Sequence, residues 1–329
     1  MKIESPPPME YVALRQPVVV RKKTSLWHHL LRQWDLQVMV LPGIILLLVF
    51  SYLPMWGVLA AFQDYDLSRG FFGSPWIGFK HFAEVFSDPL FLPVLKNTVA
   101  ISALRLIFAF PAPVFLALLL NEVQWPFFKR IVQTISYLPH FMSWVIVSGL
   151  VISSLAVDNG SVNMALLQMH VIHEPVNWLS TPEYFWSILI STGIWKEIGF
   201  GSIIYLAAIA GVDPNLYEAA DIDGAGRLRR LWYVTLPGIA PVVTIFLILS
   251  VGQILNAGFE DILLLTNRGD NAILRDVSDV IDTYVYRVGL TDFRYSYGVA
   301  VGLFKSVVNV FMLVCANFMA RRWGETSLW

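Results

Sequence analysis

Six apolar stretches, each about twenty residues long or longer, constrain this chain more than any other feature, because a helix needs about 20 residues to cross a bilayer's hydrocarbon core. They run roughly from Val38 to Ala61, Thr98 to Leu120, Ile135 to Ala156, Tyr184 to Ala210, Ile239 to Leu264 and Tyr297 to Ala320. Lipid offers the backbone no hydrogen bonds, so runs of this length read as helices that satisfy their own amides and carbonyls. An all-α polytopic membrane protein with six transmembrane helices follows. Interior prolines such as Pro42, Pro54, Pro111 and Pro113 do not argue against helices, since neighbouring helices can take up the freed carbonyls. Composition agrees: 56% hydrophobic against 14% charged residues excludes an ordinary soluble domain. The formal net charge of −1 offers no footing for nucleic acid. The first run is too long for the apolar part of a signal peptide and lacks a small-residue cleavage site, so it is expected to stay as an uncleaved span. Cys315, the one cysteine, lies in an apolar run and supports neither a disulfide framework nor a thiolate metal cluster.

Lysine and arginine fix the orientation. With the N-terminus inside, thirteen basic residues fall on the inner side and seven on the outer, and the connection from Val157 to Glu183 has none. Both termini are thus expected to be cytoplasmic. The chain divides into a cytoplasmic segment 1–37, a six-helix domain 38–320 and a cytoplasmic tail 321–329, with no clear internal repeat.

Between the fourth and fifth spans lies a charged, glycine-punctuated stretch on the inner side, residues 213–241. Asp213 is a good N-cap and Pro214 suits the first helical position, where a missing N–H costs nothing. Leu216, Ala219 and Ala220 share one face, and Gly224 sits where a left-handed glycine would end the helix. Arg227 to Val234 reads as a second helical segment with a basic patch, closed by Leu236-Pro237 before the fifth span. The two alanines leave a small-residue surface for close packing. A plain solvated loop would explain neither the caps nor the scarcity of bulky side chains.

Glu218-Ala219-Ala220, then Asp223-Gly224-Ala225, then Leu236-Pro237 with Pro241 beyond closely resemble the EAA loop of permease subunits in binding-protein-dependent ABC importers. The resemblance spreads through Ser51 to Asp66, Phe71 to Phe82, Thr134 to Trp144, Val280 to Leu290 and the terminal Glu325 to Trp329, and is similar to permeases for complex oligosaccharides and polysaccharides, related to the maltose-type importers. It implies the type I importer permease fold in a bacterial cytoplasmic (inner) membrane. It also implies that Glu218, Ala219, Ala220, Asp223, Gly224 and Ala225 couple the chain to a separate cytoplasmic ATPase. Asn267 to Asp276 departs from the family pattern, being longer and more charged.

ATP needs a phosphate-cradling GxxxxGK[ST] loop. The nearest echo, Gly302 to Ser306, has the wrong spacing and lies inside the sixth span. The chain is therefore expected to bind no cofactor and to be no enzyme. The resemblance implies two ATPase subunits carrying ATP and Mg, a second permease subunit in a heterodimer, and an extracytoplasmic solute-binding protein. Two other classes compete: an ion-coupled secondary transporter, which calls for inverted repeats and broken spans, and a membrane enzyme, which calls for a polar catalytic constellation. Neither pattern is visible. His170, His173 and Glu174 do not match a metalloprotease helix, and Asp279 with Asp282 reads as a polar face as readily as a catalytic pair.

Arg105, Lys196, Glu197 and Lys305 fall within predicted spans, where an ionised group costs about 2.5 to 3.5 kcal/mol even on mild scales and must face protein or water. Glu197 can neutralise one base. Arg105, Lys196, Glu197 and Lys305, together net positive, are candidates for the substrate path with Gln253, Asn256 and Glu260, Gln253 and Glu260 lying seven apart on one helix face. Such a lining would favour acidic sugars; a structural ion-pair network with the partner permease is the alternative. In the outer connections, Tyr284, Tyr286 and Arg287, with Trp76, Phe79 and Tyr295, are candidates for contact with the binding protein, interfacial anchoring being the alternative.

Overall fold

The structure, a computed structural model, describes residues 33–267 and 271–329. Most of the cytoplasmic segment 1–37 and the charged centre of Asn267 to Asp276 lie outside the described residues. Helices α1 (Trp34–Phe62), α3 (Phe91–Glu122), α7 (Pro182–Ala210), α9 (Arg227–Val251) and α12 (Tyr295–Arg322) are each long and apolar enough to cross a membrane. The bent pair α4 (Pro126–Phe141) and α5 (Trp144–Ser154) is, taken as one span, the sixth stretch long and apolar enough to cross. Shorter helices lie between them: α2 (Lys80–Ser87), α6 (Ser161–Gln168), α8 (Pro214–Ile222), α10 (Glu260–Leu265) and α11 (Ile281–Val285).

The chain forms two compact units. In the first, Met1–Trp56, the described part is the start of α1, and none of its side chains from Trp34 to Tyr52 is buried. The second, Gly57–Trp329, holds the remaining helices around three apolar clusters. One centres on Phe91, Tyr284 and Tyr297, a second on Ile101, Phe185, Leu189 and Ile262, and a third on Val114, Tyr205, Ile209 and Ile239. Helix α7 crosses its neighbours at glycines. A Cβ on Gly199 would overlap Ser136 O of α4, and one on Gly201 would stand 2.9 Å from Pro113 Cγ of α3.

Two predicted spans differ in detail. Ile135 to Ala156 is not one rod: α4 and α5 meet at 104°, because Pro139 contributes no amide and Ser143 caps a new helix, accepting from Ile146 N at 3.4 Å. The fifth span begins earlier than Ile239 and stops well before Leu264. Leu236-Pro237 does not close a separate segment, since Arg227 to Val251 is one continuous crossing. A wide turn over Leu231–Thr235 shifts the hydrogen-bond register ahead of Pro237, as Arg105–Ala109 does ahead of Pro111, which absorbs the missing proline donor without breaking the helix. After Val251 the chain leaves the helix until Glu260.

Candidate functional site

Helix α8 is built as its sequence predicts. Asp213 Oδ1 accepts from Asn215 N at 2.9 Å, Pro214 opens the helix and Gly224 has φ +70°. Ala225 N donates to Ala220 O at 2.8 Å and Gly224 N to Asp221 O at 3.1 Å, the paired bonds by which a left-handed glycine satisfies the last carbonyls of a helix. Two contacts brace this arm against α9: Tyr217 Oη lies 3.1 Å from Thr235 Oγ1, and Arg230 donates to Asp221 Oδ1 at 2.6 Å. No residue of α8 is buried. Glu218, Ala219, Asp223 and Gly224 are exposed, Ala220 and Ala225 half-buried, and Ile222 is 87% exposed. Helix α8 is thus a braced helix that leaves Ile222 uncovered.

The second site lies where α9 unwinds. Non-helical backbone at membrane depth is tolerated where it is buried in protein or lines a water-filled cavity, and residues 252–259 line three cavities of 290, 540 and 1060 Å³ that all share Asn256. Side-chain amides replace the lost helix bonds. Asn309 Oδ1 accepts from Leu255 N at 3.1 Å, Asn309 Nδ2 donates to Asn256 Oδ1 at 3.3 Å, and Asn256 Nδ2 faces Gln253 Oε1 at 3.5 Å. Arg105, Ser250 and Gln253 line the smallest cavity. Asp282, Lys305, Ser306 and Asn309 line the next. The largest adds Phe259, Tyr286 and Tyr295, with Phe259 and Tyr286 ring centroids 5.5 Å apart.

Four predicted path residues, Arg105, Gln253, Asn256 and Lys305, thus come together. Lys196 and Glu197 belong to a different cluster at the α4–α5 break. Buried Lys196 donates to His140 O at 2.8 Å and to Glu197 Oε1 at 3.2 Å, while Glu197 Oε2 lies 2.7 Å from His140 Nδ1. Glu260 shares no helix face with Gln253: it is exposed at the first residue of α10, beyond the unwound stretch. Nor does any of the three bases stand without a counter-charge. Arg105 pairs with Asp261, Lys305 with Asp282 and Lys196 with Glu197. Asp261, Asn309 and His140 are therefore members of these sites that the sequence reading misses, and Asp282, read there only as one of a pair with Asp279, is placed instead beside Lys305; the i, i+4 spacing of Lys305 and Asn309 is the one local signal among the missed residues.

Among the residues expected to contact a binding protein, the structure corrects one. Tyr284 cannot meet a binding protein, being 1% exposed with its hydroxyl on Asp88 Oδ2 at 2.7 Å and 2.9 Å from Tyr297 Oη. Burial pushes the Tyr284 hydroxyl's pKa up, which keeps it a hydrogen-bond donor. Tyr286 is accessible, Arg287 pairs with Asp279, and Trp76 and Phe79 are exposed.

Residues 109–325 match the family described as binding-protein-dependent transport system inner membrane component. The chain is 47% identical over 308 residues, 94% of each chain, to the polygalacturonan/rhamnogalacturonan transport system permease protein YteP of Bacillus subtilis. It is 45% identical over 314 residues to the protein LplB of the same organism, covering 95% of this chain and 96% of LplB. Among solved structures it superposes with a TM-score of 0.82 and 44% identity on a chain of a bacterial ABC transporter that imports the acidic polysaccharide alginate, covering 90% of this chain and 98% of that one. A second structure, of a bacterial alginate ABC transporter in complex with an alginate pentasaccharide-bound periplasmic protein, gives 0.83 and 42%, covering 92% and 99%.

Proposed function

The chain belongs to the inner membrane components of binding-protein-dependent transport systems, and on that premise we propose that it forms one half of the transmembrane path of an ATP-driven importer for uronate-containing oligosaccharides. An extracytoplasmic binding protein delivers the sugar, a second, different permease completes the path, and two cytoplasmic ATPase subunits, which hold ATP and Mg, drive the cycle through α8. The assembly sits in a bacterial cytoplasmic membrane.

The observation that carries the substrate class is the set of cavities meeting at Asn256, which combine amides, a hydroxyl, a lysine and aromatic faces. Amides and hydroxyls exchange hydrogen bonds with sugar hydroxyls. Phe259, Tyr286 and Tyr295 offer surfaces for the apolar C–H faces of pyranose rings. Polygalacturonan and alginate, the polymers named for the relatives, are both acidic, and Lys305, paired with Asp282, is a cation within that lining. The test is uptake of oligogalacturonides by proteoliposomes holding the full importer, ATP inside and binding protein outside. ATP-dependent accumulation supports the reading; accumulation driven by an ion gradient without ATP overturns it.

A further inference from the structure

We infer that Lys305 and Asp282 form an exchange site for the carboxylate of a uronate unit, with Asp282 standing in for the substrate's carboxylate when the path is empty. This inference rests on the uronate reading above.

Lys305 Nζ donates to Asp282 Oδ1. An ammonium carries three donors, and among the described residues Asp282 is the one side chain it bonds. Both side chains line the 540 and 1060 Å³ cavities beside Asn256 and Ser306. They are 15% and 26% exposed, so the pair is reachable from the path and not sealed in the core. It differs in its acid from Arg105–Asp261, where the Arg105 side chain is 29% exposed but that of Asp261 only 4%, and Gly258, at φ +110°, leaves room that a Cβ would fill 2.6 Å from Asp261 Oδ1.

A lone lysine in a partly desolvated passage would hold a polyanion too firmly, whereas conduction needs sites favourable enough to enter and weak enough to leave. An internal carboxylate solves this by competition. As each uronate arrives it takes the Lys305 donors from Asp282; when it moves on, Asp282 returns, and Lys305 never lacks a partner. The displaced Asp282 carboxylate has the Ser306 hydroxyl and Asn256 amide on the same cavity walls. A carboxyl-esterified sugar cannot make the exchange.

The purified full complex, without nucleotide, is titrated directly with labelled trigalacturonate and with its methyl ester, and trigalacturonate uptake is followed in proteoliposomes. Asp282→Asn removes the competitor, so it should retain trigalacturonate at about tenfold lower concentration, the size of one charge-assisted hydrogen bond. Its uptake at saturation should slow while methyl-ester binding is unchanged. Lys305→Met should weaken trigalacturonate retention alone. If acid and ester respond alike, or if Asp282→Asn fails to co-purify with its partners while Asp282→Glu does, the pair is structural and the exchange site is overturned. If the wild-type importer takes up no trigalacturonate at all, the uronate reading itself falls and the exchange site falls with it.

Discussion

Tyr284 and Asp88 are 196 residues apart in the chain and joined by a 2.7 Å hydrogen bond. The bond ties α11 to the turn between α2 and α3, and Tyr297 of α12 adds a second donor to the same oxygen at 3.1 Å. Tyr284→Phe removes the first donor from a buried site, which should cost about 1–3 kcal/mol and lower the thermal midpoint in detergent. A midpoint equal to wild type would mean that the bond is not formed in the membrane complex.

The same cluster sets a pH dependence. Burial works to raise the Asp88 pKa, but hydrogen bonds from Tyr284, the Leu90 amide and Tyr297, with the charge of Arg294, hold it below the ordinary 3.8. A depressed folded value means that the contribution is complete above 3.8 and is lost as pH falls through the lower folded value. The stability gap between wild type and Asp88→Asn should therefore be constant from neutral pH down to about 4 and close below it. Thermal unfolding across that range reads the gap directly, and a gap that widens on acidification contradicts the assignment.

Glu218→Lys should leave membrane insertion intact while weakening ATPase docking and transport together, since Glu218 is exposed on a helix whose bracing contacts lie elsewhere. Gly224→Val should act similarly: at φ +70° a side chain costs about 1–2 kcal/mol and undoes the bonds that end α8. Co-purification of the ATPase with each variant is the measurement, and normal transport by Glu218→Lys would remove α8 from the coupling role.

Asp261→Ala strands the Arg105 charge beside a buried site. A broken buried pair costs about 3–5 kcal/mol, so this variant should fold poorly, whereas Asp261→Glu should retain much of the stability. Lys196→Met removes a donor to His140 O and a counter-charge for Glu197, and should reduce assembly of the complex; lost uptake of acidic sugar with assembly unchanged would instead place Lys196 on the path.

Site-specific crosslinkers at Trp76, Phe79 and Tyr286 should capture the binding protein, and one at Tyr284 should not. No capture at any of the three exposed positions would leave them as interfacial anchors.

The apolar spans and the capped arm at residues 213–225 are legible in the sequence because their determinants are local: run length, an N-cap aspartate, a left-handed glycine. The break beside Met142 and the unwinding after Val251 are hidden, since apolar residues line helical and non-helical backbone alike when protein surrounds both. Pro139 and Gly252 are the faint clues. The ion pairs are hidden for another reason. Arg105 meets Asp261 across 156 residues and Lys305 meets Asp282 across 23, so counting charges within spans finds the bases without their carboxylates. Tyr284 shows the converse error, where an aromatic in a charged connection looks like surface and is in fact one of the largest fully buried side chains.

Gly199 brings the backbones of α7 and α4 into direct contact at Ser136, with no side chain between them to shear or compress. Helix α7 runs 29 residues, about 43 Å of rod, and passes within three residues into α8. On the proposed coupling role, a push on α8 would travel along a lever clamped near its middle. The clamp leaves little room for slack between the two helices, and the load would first meet a bend at the joint between α4 and α5, six residues past Ser136.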